Sequence, residues 1–308
     1  MNQAIGMKKS EKKPVYSSYK KKHSLIGVAF SIPVILFLVV FVLYPVIYNI
    51  YLSFTNTSLM KSTSEFIGFE NYVRMFHNKL FKKYLWNTFV WTFWSVVGQL
   101  ALGLGLAMLI SRPIKGGTAL RSFLLIPYVV PAVALSLVTK WVMNSDYGIV
   151  SYWLQAMGLL GSRNSLLALE GTAMWVVILL NIWRSYPFPM LIYWATIKGI
   201  DPEIMEAAAV DGASKWKIFI HVIMPELKNT TIILAVLRII WTATYYDLIY
   251  MVTGGGPAGS TTHLPILIYQ SSFGSFQIGY ASAISMILGI LMFICIIFYI
   301  VKSDIAND

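Results

Sequence analysis

Six stretches of this chain are too long and too apolar for the interior of a water-soluble fold. They cover residues 25–50, 86–110, 120–142, 172–197, 231–252 and 278–301. A helix of about 20 apolar residues crosses the hydrocarbon core of a bilayer. Lipid offers no partner to a free backbone N–H or C=O, so these stretches are predicted to be helices. The expected class is an all-α polytopic membrane protein with six transmembrane helices. Composition agrees, with 57% hydrophobic and 12% charged residues, against roughly 25% charged in soluble domains. Pro33, Pro45, Pro127, Pro131, Pro187 and Pro189 interrupt the runs. Such kinks persist where neighbours take up the freed carbonyls.

A net charge of +11 suits a nucleic-acid binder, but its placement argues against that. Seven lysines lie in the tail 1–23, and further basic residues follow runs two and four: Arg112, Lys115, Arg121, Lys198, Lys215, Lys217 and Lys228. With Lys302 these place fifteen cations on one side, against Lys61, Arg74, Lys79, Lys82, Lys83 and Arg163 on the other. The richer side is expected to be cytoplasmic, with both termini inside. The loop after the first run opposes the trend with five basic residues. The tail resembles the start of a signal peptide, but the apolar run behind it is long and no small-residue cleavage site follows. The expected organisation is a basic cytoplasmic tail at 1–23, a six-helix domain at 24–303 and a short tail at 304–308. The longer outer loops, 55–85 and 144–171, are expected to form small interfacial helices. Trp86, Trp91, Trp94, Trp141, Trp153 and Trp175 read as interfacial anchors.

Catalytic signatures are missing. There is no Gly-x4-Gly-Lys-Ser/Thr phosphate loop and no His-Glu-x-x-His. His23, His77, His221 and His263 lie in different loops, far from any metal-ligand spacing. No Ser or Cys nucleophile has an identifiable base, and Cys295 stands alone in an apolar run. The chain is expected to bind no metal and to be no enzyme.

A polar island separates runs four and five, at 198–229. Residues 204–209 are Ala-rich and favour a helix. Asp211-Gly212 breaks it, because Gly permits a left-handed turn or a close approach. A second amphipathic helix over 214–222 follows, with Pro225 expected to stop it. Glu206 offers a carboxylate to a basic partner. On the residues alone the island is either a passive interfacial helix-turn-helix or a docking protrusion.

Glu206-Ala207-Ala208, Asp211-Gly212-Ala213, Phe219 and Pro225 resemble the EAA loop of ATP-binding-cassette importer permeases. Tyr246-Asp247-Leu248-Ile249-Tyr250, Thr253-Gly254-Gly255-Gly256-Pro257 and Thr261 resemble the signature of sugar-importer permeases of the MalF/UgpA kind. The patch Leu125-Ile126-Pro127-Tyr128-Val129-Val130-Pro131 is similar to the same group. The resemblance spans about residues 24–303. It implies a permease subunit forming half of a translocation pathway for a sugar or oligosaccharide, in the bacterial cytoplasmic membrane. It implies four kinds of partner: a homologous, non-identical second permease, two ABC ATPase subunits, an extracytoplasmic solute-binding protein and the lipid bilayer. ATP and Mg would reside on the ATPase, with no cofactor on this chain. The coupling residues it implies are Glu206, Ala207, Ala208, Asp211, Gly212, Phe219 and Pro225.

Four ionisable residues fall inside the apolar runs: Lys140, Arg184, Arg238 and Asp247. Intramembrane charge is costly and marks functional candidates. Lys140 and Asp247 lie near the outer ends and can snorkel. Arg184 belongs to a stripe with Asn181, Ser185 and Phe188, and Arg238 to one with Trp241, Thr242 and Tyr245. Both stripes run i, i+3, i+4, i+7, which is one helix face. Aromatic faces suit sugar C–H surfaces, and amides, hydroxyls and guanidinium suit sugar hydroxyls. The alternative is interhelical packing with an Arg184–Asp247 ion pair. Two arginines in one low-dielectric cavity repel unless an anion joins them, which hints at an acidic, uronate-containing cargo. A phosphorylated cargo such as glycerol 3-phosphate and an ion-coupled transporter are the competing readings.

Overall fold

A computed structural model describes residues 30–161 and 163–305. The basic tail 1–23, the start of the first apolar run and residues 306–308 lie outside the described residues. Regular structure among those described is helical, apart from one antiparallel bridge between Thr55 and Phe66. The chain divides into two compact units, with the boundary between Tyr51 and Leu52.

The first unit holds most of helix α1, Phe30–Ser53. This helix widens into a π-turn at Val39–Leu43, immediately before Tyr44-Pro45. Pro45 has no N–H to return to the preceding turn. Shifting the bonding register there lets the helix continue past it.

The second unit contains α2 (Glu70–His77), α3 (Lys79–Ser111), α4 (Gly117–Val129), α5 (Ala132–Val142), α6 (Ile149–Ala156), α7 (Glu170–Ser185) and α8 (Pro187–Gly199). The coupling-loop region supplies α9 (Pro202–Val210), and α10 (Lys215–Ala243) follows it. The chain ends with α11 (Asp247–Thr253), α12 (Leu264–Tyr269) and α13 (Ile278–Ile305). Four of these helices, α1, α3, α10 and α13, are long and apolar enough to cross a membrane. The bent pairs α4–α5 and α7–α8 bring the number to as many as six. Helices α2 and α6 occupy the two longer loops.

Helix α3 is the axis of this unit and packs against α7, α8 and α10. In lipid, such packing relies on close van der Waals fit rather than on hydrophobic transfer. Gly103 shows how the fit is made: an added Cβ would stand 3.0 Å from the Met190 backbone nitrogen and 3.1 Å from the Pro189 side chain. Ala107, Tyr193, Ile197, Leu227 and Leu234 form one core cluster around the same contact. A second cluster joins Trp91 to Val177, Ile178, Leu248, Ile249 and Ile266.

The expected proline interruptions of runs three and four appear as bends: α4 and α5 meet at 87° across Val130-Pro131. The residue before a proline is pushed into extended geometry, and Val130 has φ −64° and ψ 121°. Run four bends by 43° between Ser185 and Pro187. Other expectations are corrected: run five, expected at 231–252, starts at Lys215 and breaks after Ala243, so that Asp247–Thr253 is a separate helix. Pro225 does not stop the second helix of the polar island. A π-turn at Phe219–Ile223 precedes it, and Met224 donates its N–H to the Phe219 carbonyl. The helix then runs on through Pro225 to Ala243, by the same device as at Pro45. Trp91 is no interfacial anchor; it is fully buried, and its Nε1 donates to the Thr242 carbonyl at 2.8 Å.

Candidate functional site

The two arginine stripes face one cavity of about 390 Å³. Helix α7 contributes Asn181, Arg184 and Ser185, and α10 contributes Arg238, Trp241 and Thr242. Tyr245 enters from the break after α10, and Tyr128 from the end of α4. Phe188 is set back from the lining; its ring packs against Trp241 with centroids 5.3 Å apart and planes inclined by 57°.

The arginines are held by neutral groups. Arg238 is 6% exposed, and its Nε donates to Gln99 Oε1 on α3 at 2.6 Å. Its guanidinium lies 5.6 Å from the Trp241 ring centroid. Arg184 donates from Nε to the Val130 carbonyl at 3.2 Å, and its guanidinium lies 5.7 Å from the Tyr245 ring. The Val130 carbonyl is one that the α4–α5 bend removes from regular helix bonding, so Arg184 also supports the kink. The Arg184–Asp247 ion pair does not form. Asp247 is exposed, and the one ion pair among the described residues joins Lys83 to Glu170 at 3.5 Å. Lys140 is exposed near the C-terminal end of α5.

Three polar atoms on this lining find no partner within the described chain: Asn181 Nδ2, Thr242 Oγ1 and Tyr245 OH. Behind it, Gln99 Nε2 is also unpartnered. Buried polar groups are normally satisfied. An amide, two hydroxyls, two guanidiniums and the Trp241 face together match a ligand rich in hydroxyls, with negative charge to meet the arginines.

The glycine-rich segment 254–263 braces this wall from outside. Asn87 Nδ2 donates to the carbonyls of Gly259 and Thr262, at 3.1 and 2.8 Å. Thr262 Oγ1 donates to the Gly255 carbonyl at 2.9 Å. His263 Nε2 donates to the Tyr245 carbonyl at 3.0 Å. With Trp91 on the Thr242 carbonyl, it holds the helix break where two lining residues emerge. Burial pushes the His263 imidazole down to about 4, so the ring is neutral near pH 7.

At the other end of α10, the polar island is a tight turn between helices. Asp201 caps α9 by accepting the Glu203 N–H at 3.0 Å. Gly212 adopts φ +78°. The Ala213 N–H bonds the Ala208 carbonyl at 3.0 Å, and the Gly212 N–H bonds that of Ala209 at 3.1 Å. This is a Schellman ending, which favours glycine at the left-handed position. No atom lies within 4 Å of an added Gly212 Cβ, so conformation rather than crowding demands glycine here. Glu206, Ala207, Asp211 and Pro225 are exposed, and Ala208 and Phe219 are half-buried. Val210 and Trp216 expose 87% and 67% of their surface, and the Trp216 ring meets that of Phe219 with centroids 5.3 Å apart.

Two site residues escaped sequence reasoning. Tyr128 lay within the singled-out 125–131 patch without being marked. Gln99 stood as a lone amide in an apolar run, the kind of polar intrusion that signals a buried role.

Comparison with known proteins adds the following. The model of the binding-protein-dependent transport system inner membrane component family matches residues 99–303. The sulfoquinovosyl glycerol transport system permease protein SmoG of Agrobacterium fabrum is 35% identical over 267 residues, covering 86% of this chain and 85% of that protein. The multiple sugar-binding transport system permease protein MsmF of Streptococcus mutans is 32% identical, with coverages of 86% and 91%. The trehalose/maltose transport system permease protein MalF of Thermococcus litoralis is 29% identical, with coverages of 95% and 98%. A chain from the crystal structure of a bacterial ABC transporter involved in alginate import shares the fold. Its TM-score is 0.81 at 21% identity, covering 96% of this chain and 100% of that one.

Proposed function

This chain belongs to the binding-protein-dependent transport system inner membrane components, and from that premise we propose how it takes part in transport and what it carries. It is a permease subunit of a carbohydrate ABC transporter and a multi-pass membrane protein. It is a transporter component rather than an enzyme, as its relatives are named.

The proposed cargo is an anionic sugar or short acidic oligosaccharide. The observation that carries this is Arg184 and Arg238 facing one cavity with neutral partners only among the described residues. Charge-assisted hydrogen bonds from guanidinium to carboxylate or sulfonate exceed neutral ones. The 35% identical relative is named for sulfoquinovosyl glycerol, a sulfonated sugar, which supports the class. Asn181, Ser185, Thr242 and Tyr245 would bind hydroxyls, Trp241 would stack on a ring face, and Phe188 would buttress Trp241.

In this reading the chain forms half of the path and a second, non-identical permease the other half. The 198–229 loop faces the cytoplasm, as do both termini. Glu206, Ala207, Ala208, Asp211, Gly212 and Phe219 dock on one of two ATPase subunits, and Pro225 sits where the loop joins α10. The exposed apolar surface of Val210 and Trp216 supports docking. ATP and Mg belong to the ATPase. A solute-binding protein delivers cargo at the opposite face. The unbroken helix from Lys215 to Ala243 supports coupling, since it joins the loop directly to Arg238 and Trp241.

The test is uptake by proteoliposomes containing the whole transporter and its binding protein. Labelled uronate oligosaccharides should enter, and their carboxyl-reduced, neutral counterparts should enter more slowly. Equal rates for the two would remove the anionic class. Preference for a phosphorylated polyol would replace the sugar cargo. Uptake that follows an ion gradient without ATP would reject the whole reading.

A further inference from the structure

A second cleft, of about 390 Å³, lies at the membrane face that carries the 198–229 loop. It shares no lining residue with the arginine-lined cavity. Its floor is apolar, built from Met108, Ile197, Ile218 and Ile223. Its rim carries three cations: Arg112, Lys198 and Lys215. Each marks a helix end. Arg112 follows the last residue of α3, Lys198 lies in the last turn of α8, and Lys215 opens α10.

The helix ends do not account for all three charges. Cations suit the C-terminal ends of α3 and α8, where partial negative charge gathers. Lys215 sits at the opposite, positive end of α10, where the same dipole disfavours it. All three side chains are exposed, and none pairs with a carboxylate among the described residues. Three unpaired cations around an apolar floor, at the ends of membrane-spanning helices, match an amphiphile with an anionic head. The cleft volume falls within the roughly 300–1,000 Å³ typical of small-ligand sites.

We propose that this cleft binds the headgroup of an anionic phospholipid from the adjoining leaflet, with Arg112, Lys198 and Lys215 on the phosphate and the upper acyl segments on Met108, Ile197, Ile218 and Ile223. Basic pockets at helix ends are a recurring mode of anionic-lipid recognition. The bound lipid adds to the direct packing of α3 against α10. It therefore stiffens the junction through which the loop moves α10. A soluble anion would gain nothing from the apolar floor, which favours a lipid over free phosphate.

The test uses the whole transporter in nanodiscs of phosphatidylcholine doped with phosphatidylglycerol, read by native mass spectrometry. Wild type should retain phosphatidylglycerol in preference to phosphatidylcholine. Each cation near a lipid surface contributes about fivefold in affinity, so Arg112→Gln with Lys198→Gln should lower retention on the order of tenfold or more. Arg112→Lys with Lys198→Arg, which keeps both charges, should retain it. Lys115→Gln with Lys228→Gln, which removes two cations outside the cleft, should leave it unchanged. Equal loss in that control pair would make the effect general surface attraction and overturn the site. So would equal retention in all variants. A photoactivatable phosphatidylglycerol should label peptides containing Met108 or Ile218. Labelling elsewhere only, or ATPase residues cross-linking into the cleft instead, would also overturn it. The readout is lipid retention, so it is independent of what cargo the transporter carries.

Discussion

Arg238, on α10, donates through Nε to Gln99 Oε1, on α3, at 2.6 Å. The bond crosses 139 positions of sequence and fixes a buried guanidinium with a neutral acceptor. A neutral acceptor orients the cation without cancelling its charge.

Replacing that acceptor by a carboxylate tests the consequence. Gln99→Glu should pair with Arg238 and neutralise it. Uptake of an acidic oligosaccharide should fall about tenfold, by the loss of a charge-assisted bond of roughly 1.5–3 kcal/mol. Uptake of a neutral analogue should change little. Competition uptake in proteoliposomes reads both, and unchanged acidic uptake would sink the idea.

Arg184→Ala and Arg238→Ala should each lower uptake while the transporter still assembles. The double variant should lose acidic cargo far more than neutral cargo. Arg184→Ala also strips the donor from the Val130 carbonyl, so its thermal stability should drop by about 1 kcal/mol more than a surface control. Ligand density far from both arginines in a cargo-bound structure would refute their role.

Gly212 at φ +78° predicts a graded response. A left-handed conformation costs a non-glycine residue roughly 1–2 kcal/mol, with Asn among those that tolerate it best. Gly212→Val should separate ATP hydrolysis from uptake, while Gly212→Asn should keep most of the coupling. Both rates are measured on the same proteoliposomes. Wild-type transport by Gly212→Val would show that the turn is not critical.

Glu206 is exposed on α9. Glu206→Lys should leave the protein in the membrane but weaken capture of its ATPase subunits by affinity pull-down. Full recovery of ATPase together with normal transport would falsify the docking role.

His263 predicts a pH effect. Its folded value is about 4, against an ordinary value of 6.5. The unfolded chain therefore takes up the proton first as pH falls. This contribution is complete above pH 6.5 and shrinks as pH drops through the window down to about 4. The slope approaches about 1.4 kcal/mol per pH unit within it. Melting of the purified complex between pH 7 and 4.5 should steepen in wild type and flatten in His263→Gln. Parallel curves would remove His263 as the cause.

The amino-acid sequence by itself determined the membrane class, the apolar runs, and the polar island with its glycine turn. These are local properties. A run of apolar residues reports its own solvent, and spacing of i, i+3, i+4, i+7 reports one helix face. That is why Asn181, Arg184 and Ser185 could be grouped, and Arg238, Trp241 and Thr242 as well. Only the tertiary structure decided that the two faces look into one cavity, that Tyr128 joins them, and that Gln99 stands behind Arg238. It also decided that Trp91 is buried, that Phe188 backs Trp241, and that the chain turns by 87° at Val130-Pro131. Pro225 makes the same point in reverse. Its residue type reads as a helix stop, yet a π-turn one step earlier carries the helix through. Facing, kink angle and bonding register depend on contacts between segments distant in the chain, and no local pattern encodes them.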